Sequence, residues 1–272
     1  MQCAFARLSL RLAALGLSLA LFLPLGAGAQ PSPALKHAPA EAPTRVLFVG
    51  NSLVYYNNGL STHVHRMISA ANPALESTVK SSYKSVHITG ATLDQYPLEH
   101  FLKPGILNVK EPFQLVVLAG NSTDASGEAQ RDRYRKKVLE FDALIKRAGS
   151  HTALYWLPAP VKPHPLAETG MTQKNADMLL SVGNEIGALV IPVGPAFDEA
   201  YRRRPGIKLQ TEYDGNHPTL AGTYLSAAVV YGSLYGKPSK GNTYDYFGRV
   251  DKETAAFLQQ VADDTVNAFY GR

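Results

Sequence analysis

Ser52, His217 and Asp214 are of the types from which proteins build an activated oxygen nucleophile. A serine hydroxyl attacks poorly until a base takes its proton, and that base works best when a carboxylate holds its other nitrogen protonated. Asp214-Gly215-Asn216-His217-Pro218 places the acid and the imidazole three residues apart, so one short segment offers both. Each group also has a plain structural alternative. Ser52 follows an apolar run, and on position alone it reads first as a helix N-cap. Asp214 reads as a turn residue before Pro218, which would leave His217 merely exposed. Neither segment decides alone; their combination favours chemistry.

To converge, these residues need a scaffold that brings residue 52 and residue 217 together. Apolar runs of strand length, at 45–49, 78–88, 115–119, 153–157 and 189–193, alternate with segments of helical period at 61–71, 131–147, 172–186, 220–235 and 252–270. In the second of these helices Tyr134, Val138, Phe141, Leu144 and Ile145 share one stripe, with Lys136, Lys137, Glu140 and Lys146 elsewhere. Alternation of this kind predicts an α/β fold, a three-layer α/β/α sandwich around a central, mostly parallel five-stranded sheet. Four runs are nearly continuous in apolar residues, as strands buried on both faces are. The more polar run 78–88 is expected at an edge. In such a sheet reactive groups gather beyond the carboxyl ends of the strands. Gly50-Asn51-Ser52 follows the first run, Thr89-Gly90-Ala91-Thr92-Leu93 the second, and Gly120-Asn121-Ser122-Thr123-Asp124 the third.

The Gly50-Asn51-Ser52 and Asp214-x-x-His217 segments together resemble the SGNH (GDSL-like) serine hydrolases, and most of all a bacterial, exported branch with Gly-Asn-Ser, then Gly-Ala-Thr-Leu, then Asp-x-x-His-Pro followed by Gly-x-Tyr-Leu. The resemblance runs from about residue 45 to residue 237. It implies a flavodoxin-like sandwich, Ser52 as nucleophile, His217 as base and Asp214 as its orienting acid. It also implies an oxyanion hole from the N–H groups of Ser52 and Gly90, the glycine being needed because a side chain there would block close approach. The third block of that family reads Gly-x-Asn-Asp, whereas this chain has Gly120-Asn121-Ser122-Thr123-Asp124, so either Asn121 or Ser122 takes the oxyanion position, with Asn121 preferred. The implied activity is hydrolysis of carboxylic esters through an acyl-enzyme, on a small-molecule, carbohydrate or lipid ester, without a cofactor. Two alternatives keep the same fold: a catalytically silent carbohydrate-binding or envelope module, and an acyltransferase using the same serine.

Other features bound the function. Arg7 and Arg11, the apolar run 12–25 and Ala27-Gly28-Ala29 read as a cleaved signal peptide over 1–29. A flexible Pro/Ala-rich linker is expected over 30–44 and one hydrolase-like domain over 45–272, in a protein exported to the periplasm or beyond the cell. Removing the two leader arginines lowers the formal net charge from +5 to +3, only mildly basic, and no basic run with interleaved aromatics suggests nucleic acid. After cleavage no membrane span is expected. The single cysteine, Cys3, lies in the leader, so thiolate catalysis and cysteine-ligated zinc are excluded from the mature chain. His63 and His65 are two apart on an expected helix and face different ways; the other histidines are scattered, so no metal site is expected. Tyr55, Tyr56, Asn57 and Asn58 read either as the rim of the substrate cleft or as a solvated loop. Trp156 reads as core, and Arg202, Arg203 and Arg204 as a solvated helix end.

Overall fold

The computed structural model describes residues 32–272; the expected signal peptide and Cys3 lie outside the described residues. Five parallel strands, β1 (Val46–Gly50), β2 (Tyr83–His87), β3 (Leu115–Ala119), β4 (His151–Tyr155) and β5 (Leu189–Ile191), form one sheet in the order β2-β1-β3-β4-β5. Alternate residues of each strand enter opposite layers of core. Val46, Phe48, Leu115, Val117, Ala153, Tyr155, Leu189 and Ile191 face one layer. Leu47, Val49, Val116, Leu118, Leu154 and Val190 face the other. Both faces are apolar, so the central strands must be covered on both sides, and each fully buried Leu, Ile or Val contributes about 1.5–3 kcal/mol.

The first layer is covered by α2 (Leu60–Ala71), α7 (Val193–Arg203), α8 (Leu220–Tyr235) and α9 (Lys252–Tyr270). The second lies under α4 (Leu98–Leu102), α5 (Glu128–Arg147) and α6 (Met171–Ile186). Residues 222–234 of α8 are buried throughout, because α2, α7 and α9 pack around a helix that carries no charged side chain. Among the described residues no helix is long and apolar enough to cross a membrane. The described part of the expected linker lies against the body: Pro33 and Pro43 are buried, Ala34 N–H donates to Asn184 Oδ1 at 2.7 Å, and Pro43 O accepts from Tyr83 and Tyr235.

Three expected strands are corrected. Residues 76–82 form helix α3 (Glu76–Ser82) and only Tyr83–His87 is strand. Asn72 and Pro73 open a 3-10 turn ahead of α3, with Asn72 Oδ1 accepting from Ala74 N–H at 3.3 Å, and only Val79 of α3 is buried, so the β-branched residues were a poor guide. The fourth strand ends at Tyr155; Trp156 follows it as core, packed edge-on against Phe269. The fifth ends at Ile191, and Val193 begins α7, a helix the sequence reading missed because only Pro192 separates it from the strand. Its basic end is ion-paired rather than merely solvated: Arg202 and Arg203 to Glu199, Arg203 also to Asp264, and Arg204 to Glu253.

Candidate active site

In the order β2-β1-β3 the chain leaves β1 toward β2 on one side and continues from β3 toward β4 and β5 on the other, which opens a crevice beyond the carboxyl ends of β1 and β3. Asn51 organises that crevice. It is 1 % exposed, its Oδ1 accepts from Leu53 N–H at 3.1 Å, and its Nδ2 donates to Ala91 O at 2.9 Å and Gly120 O at 3.0 Å. One amide thus ties together the segments after β1, β2 and β3. Asn51 is the N-cap of the short helix α1 (Ser52–Tyr55), so Ser52 is not the cap. With the capping position filled by its neighbour, the Ser52 side chain is released to point elsewhere. Gly50, just before, has no room for a side chain: a Cβ would lie 2.7 Å from Val54 Cγ2 and 2.9 Å from Ala119 Cβ. The expected reason was a sharp exit from the strand; the observed one is this close approach.

Ser52 is 6 % exposed and its hydroxyl lies 2.8 Å from His217 Nε2. His217 Nδ1 contacts Asp214 Oδ2 in a short hydrogen bond. A carboxylate only accepts, so the ring carries its proton on Nδ1 and presents Nε2 as the acceptor for the serine O–H. Asp214 Oδ1 takes three further donors: Thr211 Oγ1 at 2.5 Å, Asn216 N–H at 2.9 Å and His217 N–H at 3.1 Å. Burial alone pushes the Asp214 carboxyl up, but the Thr211 hydroxyl, these N–H groups and the His217 ring outweigh it and hold it well below the usual carboxylate range.

The loop carrying Asp214 and His217 is pinned at its base and its tip. Thr211 N–H donates to His217 O at 2.8 Å, Gly215 N–H to Thr211 O at 2.8 Å, Thr219 N–H to Leu209 O at 2.9 Å, and Gln210 pairs with Pro218 in an antiparallel bridge. Val161 N–H donates to Gly215 O at 2.8 Å and Gln210 Nε2 to Ala159 O at 3.0 Å, anchoring the loop to the segment that leaves β4. Gly215 adopts φ +66° and a Cβ there would sit 1.9 Å from Val161 O, so both conformation and space demand glycine. Gly215→Ala is expected to cost about 2 kcal/mol or more, to lower the melting temperature, and to move His217 off Ser52. Thermal unfolding measured beside ester turnover checks it; unchanged values for both would refute the role given to this loop.

Gly90 and Asn121 meet across the crevice. Gly90 adopts φ +68°, and a Cβ there would meet nothing within 4 Å. Glycine therefore suits the left-handed backbone conformation here, and no described protein atom crowds the approach to it. Asn121 Nδ2 donates to Gly90 O at 3.0 Å and lies 3.4 Å from Ala91 O, while its Oδ1 accepts from Thr123 N–H and Thr123 Oγ1. Its backbone N–H is held by buried Asp124 at 2.6 Å. Ser122 Oγ accepts from Asn216 Nδ2 at 3.3 Å, beside His217. The Ser52 N–H is in the first turn of α1, where backbone donors have no partner within the helix.

Tyrosines form the outer wall. The Tyr56 ring stacks on the His217 ring, centroids 4.4 Å apart, and its hydroxyl lies 3.1 Å from that of Tyr213, which is 68 % exposed. The Tyr213 hydroxyl, with burial adding to it, pushes Tyr56 up to about 12. Tyr55 reaches Thr89 Oγ1 at 3.1 Å. Asn57, expected at the rim, turns its amide onto Pro218 O at 3.0 Å and Thr223 Oγ1 at 2.8 Å. Its own carbonyl accepts from His63 Nε2 at 2.7 Å, so His63 is a buried support for the loop after α1. Thr211, Tyr213 and Asn216 were missed by the sequence reading. Their proximity in sequence to Asp214 was the one available signal.

No protein-family model and no curated protein matches the sequence. Solved structures do. A DUF4886 family protein from Bacteroides uniformis superposes with a TM-score of 0.59 at 14 % identity, over 82 % of this chain and 94 % of that one. A candidate SGNH hydrolase from Slackia heliotrinireducens gives 0.55 at 19 %, over 70 % and 97 %. A mutant of an acetyl-xylooligosaccharide esterase from a Geobacillus species gives 0.53 at 16 %, over 73 % and 96 %. The five-stranded parallel sandwich expected from the sequence is thus the fold of SGNH hydrolase structures.

Proposed function

We propose that this chain is an exported serine esterase that hydrolyses carboxylic esters through an acyl-enzyme on Ser52. The observation that carries the reading is the unbroken line from Ser52 Oγ through His217 Nε2 and Nδ1 to Asp214 Oδ2. In this reading Ser52 Oγ attacks the ester carbonyl as its proton passes to His217 Nε2, and Asp214 stabilises the imidazolium that forms. The tetrahedral oxyanion is met by the Ser52 and Gly90 N–H groups. His217 then gives its proton to the departing alcohol. Water, deprotonated by the same nitrogen, releases the acid and restores the serine.

Asn121 spends its amide on Gly90 O and Ala91 O, so its role here is to hold the Gly90 loop in place rather than to bind the oxyanion directly. Asn121→Ala is expected to lower kcat by about 10–100-fold, less than the loss of a direct oxyanion donor, with KM little changed; steady-state kinetics of both constants decides it. Hydroxyls of Tyr55, Tyr56 and Tyr213 border the cleft, which favours an ester of a polar alcohol, such as an acylated sugar, over a lipid. The leader read from residues 1–29 supports export, where such substrates occur. The test is turnover of chromogenic esters of increasing acyl length, with an acetylated oligosaccharide beside them. Release of acetate from the saccharide supports the reading; no turnover of any ester would overturn it.

A further inference from the structure

Away from Ser52, a cavity of about 290 Å³ opens between α2, α3 and the segment 243–247, and none of its lining residues belongs to the site described above. Its wall carries two cations, Arg66 and Lys80, and two carboxylates, Glu76 and Asp245. Among the described residues none of these four forms an ion pair. Opposite charges that are gathered but left unpaired make a wall rich in both donors and acceptors, with no net preference for an anion or a cation. Arg66 Nε and His65 Nδ1 are buried without a hydrogen-bond partner among the described residues, a condition that native structures usually relieve with a water or a ligand.

Phe247 stands at the edge of this cavity and is 72 % exposed. It adopts φ +59° and Tyr246 before it φ +53°, a conformation that bulky side chains rarely hold and that is found where surroundings enforce it. Here the Tyr246 ring stacks on His63 at 4.8 Å, the Arg66 guanidinium lies 4.8 Å from the Phe247 centroid, and Asp245 Oδ1 accepts from Gly248 N–H at 2.8 Å. The segment is thus locked with an apolar ring held in water beside polar groups.

We infer that this cavity is a second saccharide-binding site, which takes an uncharged sugar ring with its C–H face on Phe247 and its hydroxyls on Arg66, Glu76, Lys80 and Asp245. An apolar platform with a few convergent polar groups suits a ligand that is apolar on its faces and polar at its edge. The balance of two cations against two carboxylates argues for a neutral ring over a uronic acid or an amino sugar. Such a site would keep a polymer near the chain without taking part in ester cleavage.

The experiment is calorimetric titration of the full-length chain with a panel of neutral hexasaccharides (xylohexaose, cellohexaose and mannohexaose), with hexagalacturonate as the charged control. The wild type and Ser52→Ala are expected to bind at least one neutral member alike. Phe247→Ala and, as a second variant, Lys80→Ala are expected to weaken that binding by about tenfold, while turnover of a small chromogenic ester stays unchanged. Binding of no neutral member, equal binding by both variants, or tighter binding of hexagalacturonate would each overturn the inference. Ester turnover reads the Ser52 site separately, so failure of one proposal is distinguishable from failure of the other.

Discussion

Ser52→Ala is expected to lower kcat for ester hydrolysis by about a millionfold, to near the rate the remaining polar groups support, while the fold is unaffected. Among the described residues the side chain makes one hydrogen bond, to His217, and Asn51 rather than Ser52 caps the helix; removing one hydroxyl leaves α1 and the three-loop tie intact. His217→Ala should lose a similar factor. The double variant should lose scarcely more than either single one, because the two groups act as a unit in the same step and their effects do not add. Single-turnover and steady-state rates on one chromogenic ester, with far-UV circular dichroism to verify folding, measure this. A double variant whose loss is the product of the single losses would mean that serine and histidine act independently.

Asp214→Asn is expected to cost about 10⁴-fold in kcat with the loop still in place. The carboxylate accepts from the His217 ring, from Thr211 Oγ1 and from two backbone N–H groups. An amide keeps one oxygen for the Oδ1 donors but turns an N–H toward Nδ1, which favours the tautomer whose Nε2 carries the proton and cannot accept one from Ser52. The same substitution has a pH signature. A carboxyl held below its unfolded value, about 3.9, contributes stability that is present above that value and is lost as pH falls through the folded one. Wild type should therefore exceed Asp214→Asn in melting temperature at neutral pH, and the gap should narrow on acidification. A gap that widens toward acid would contradict the hydrogen bonding assigned to Asp214.

The scaffold was legible where local signals agree with burial. Residues 115–119, 220–235 and 252–270 were read to the residue, because an uninterrupted apolar run or a long helix with an apolar face is bounded by turn and cap residues, as Thr219 and Asp251 cap α8 and α9. Where elements abut without a break the pattern failed: Ile191 and Val193 look like one run although a strand ends and a helix starts between them. The Ser52, Asp214 and His217 segments were legible because the residue types and the spacing of acid and base are themselves the signal. The supporting groups were not. That Asn51 bridges three loops, that Asn57 holds Pro218, and that Asn121 binds Gly90 O all depend on segments far apart in the chain being brought together by the sheet.

The most direct test of Ser52 as the nucleophile is stoichiometric labelling with a fluorophosphonate ester, followed by peptide mapping and by residual ester hydrolysis in the same samples. The geometry predicts one label per chain, on Ser52, with activity lost in proportion to labelling and no labelling of Ser52→Ala or His217→Ala at the same rate. Inactivation with the label on another residue, or full hydrolysis by chains labelled at Ser52, would contradict it.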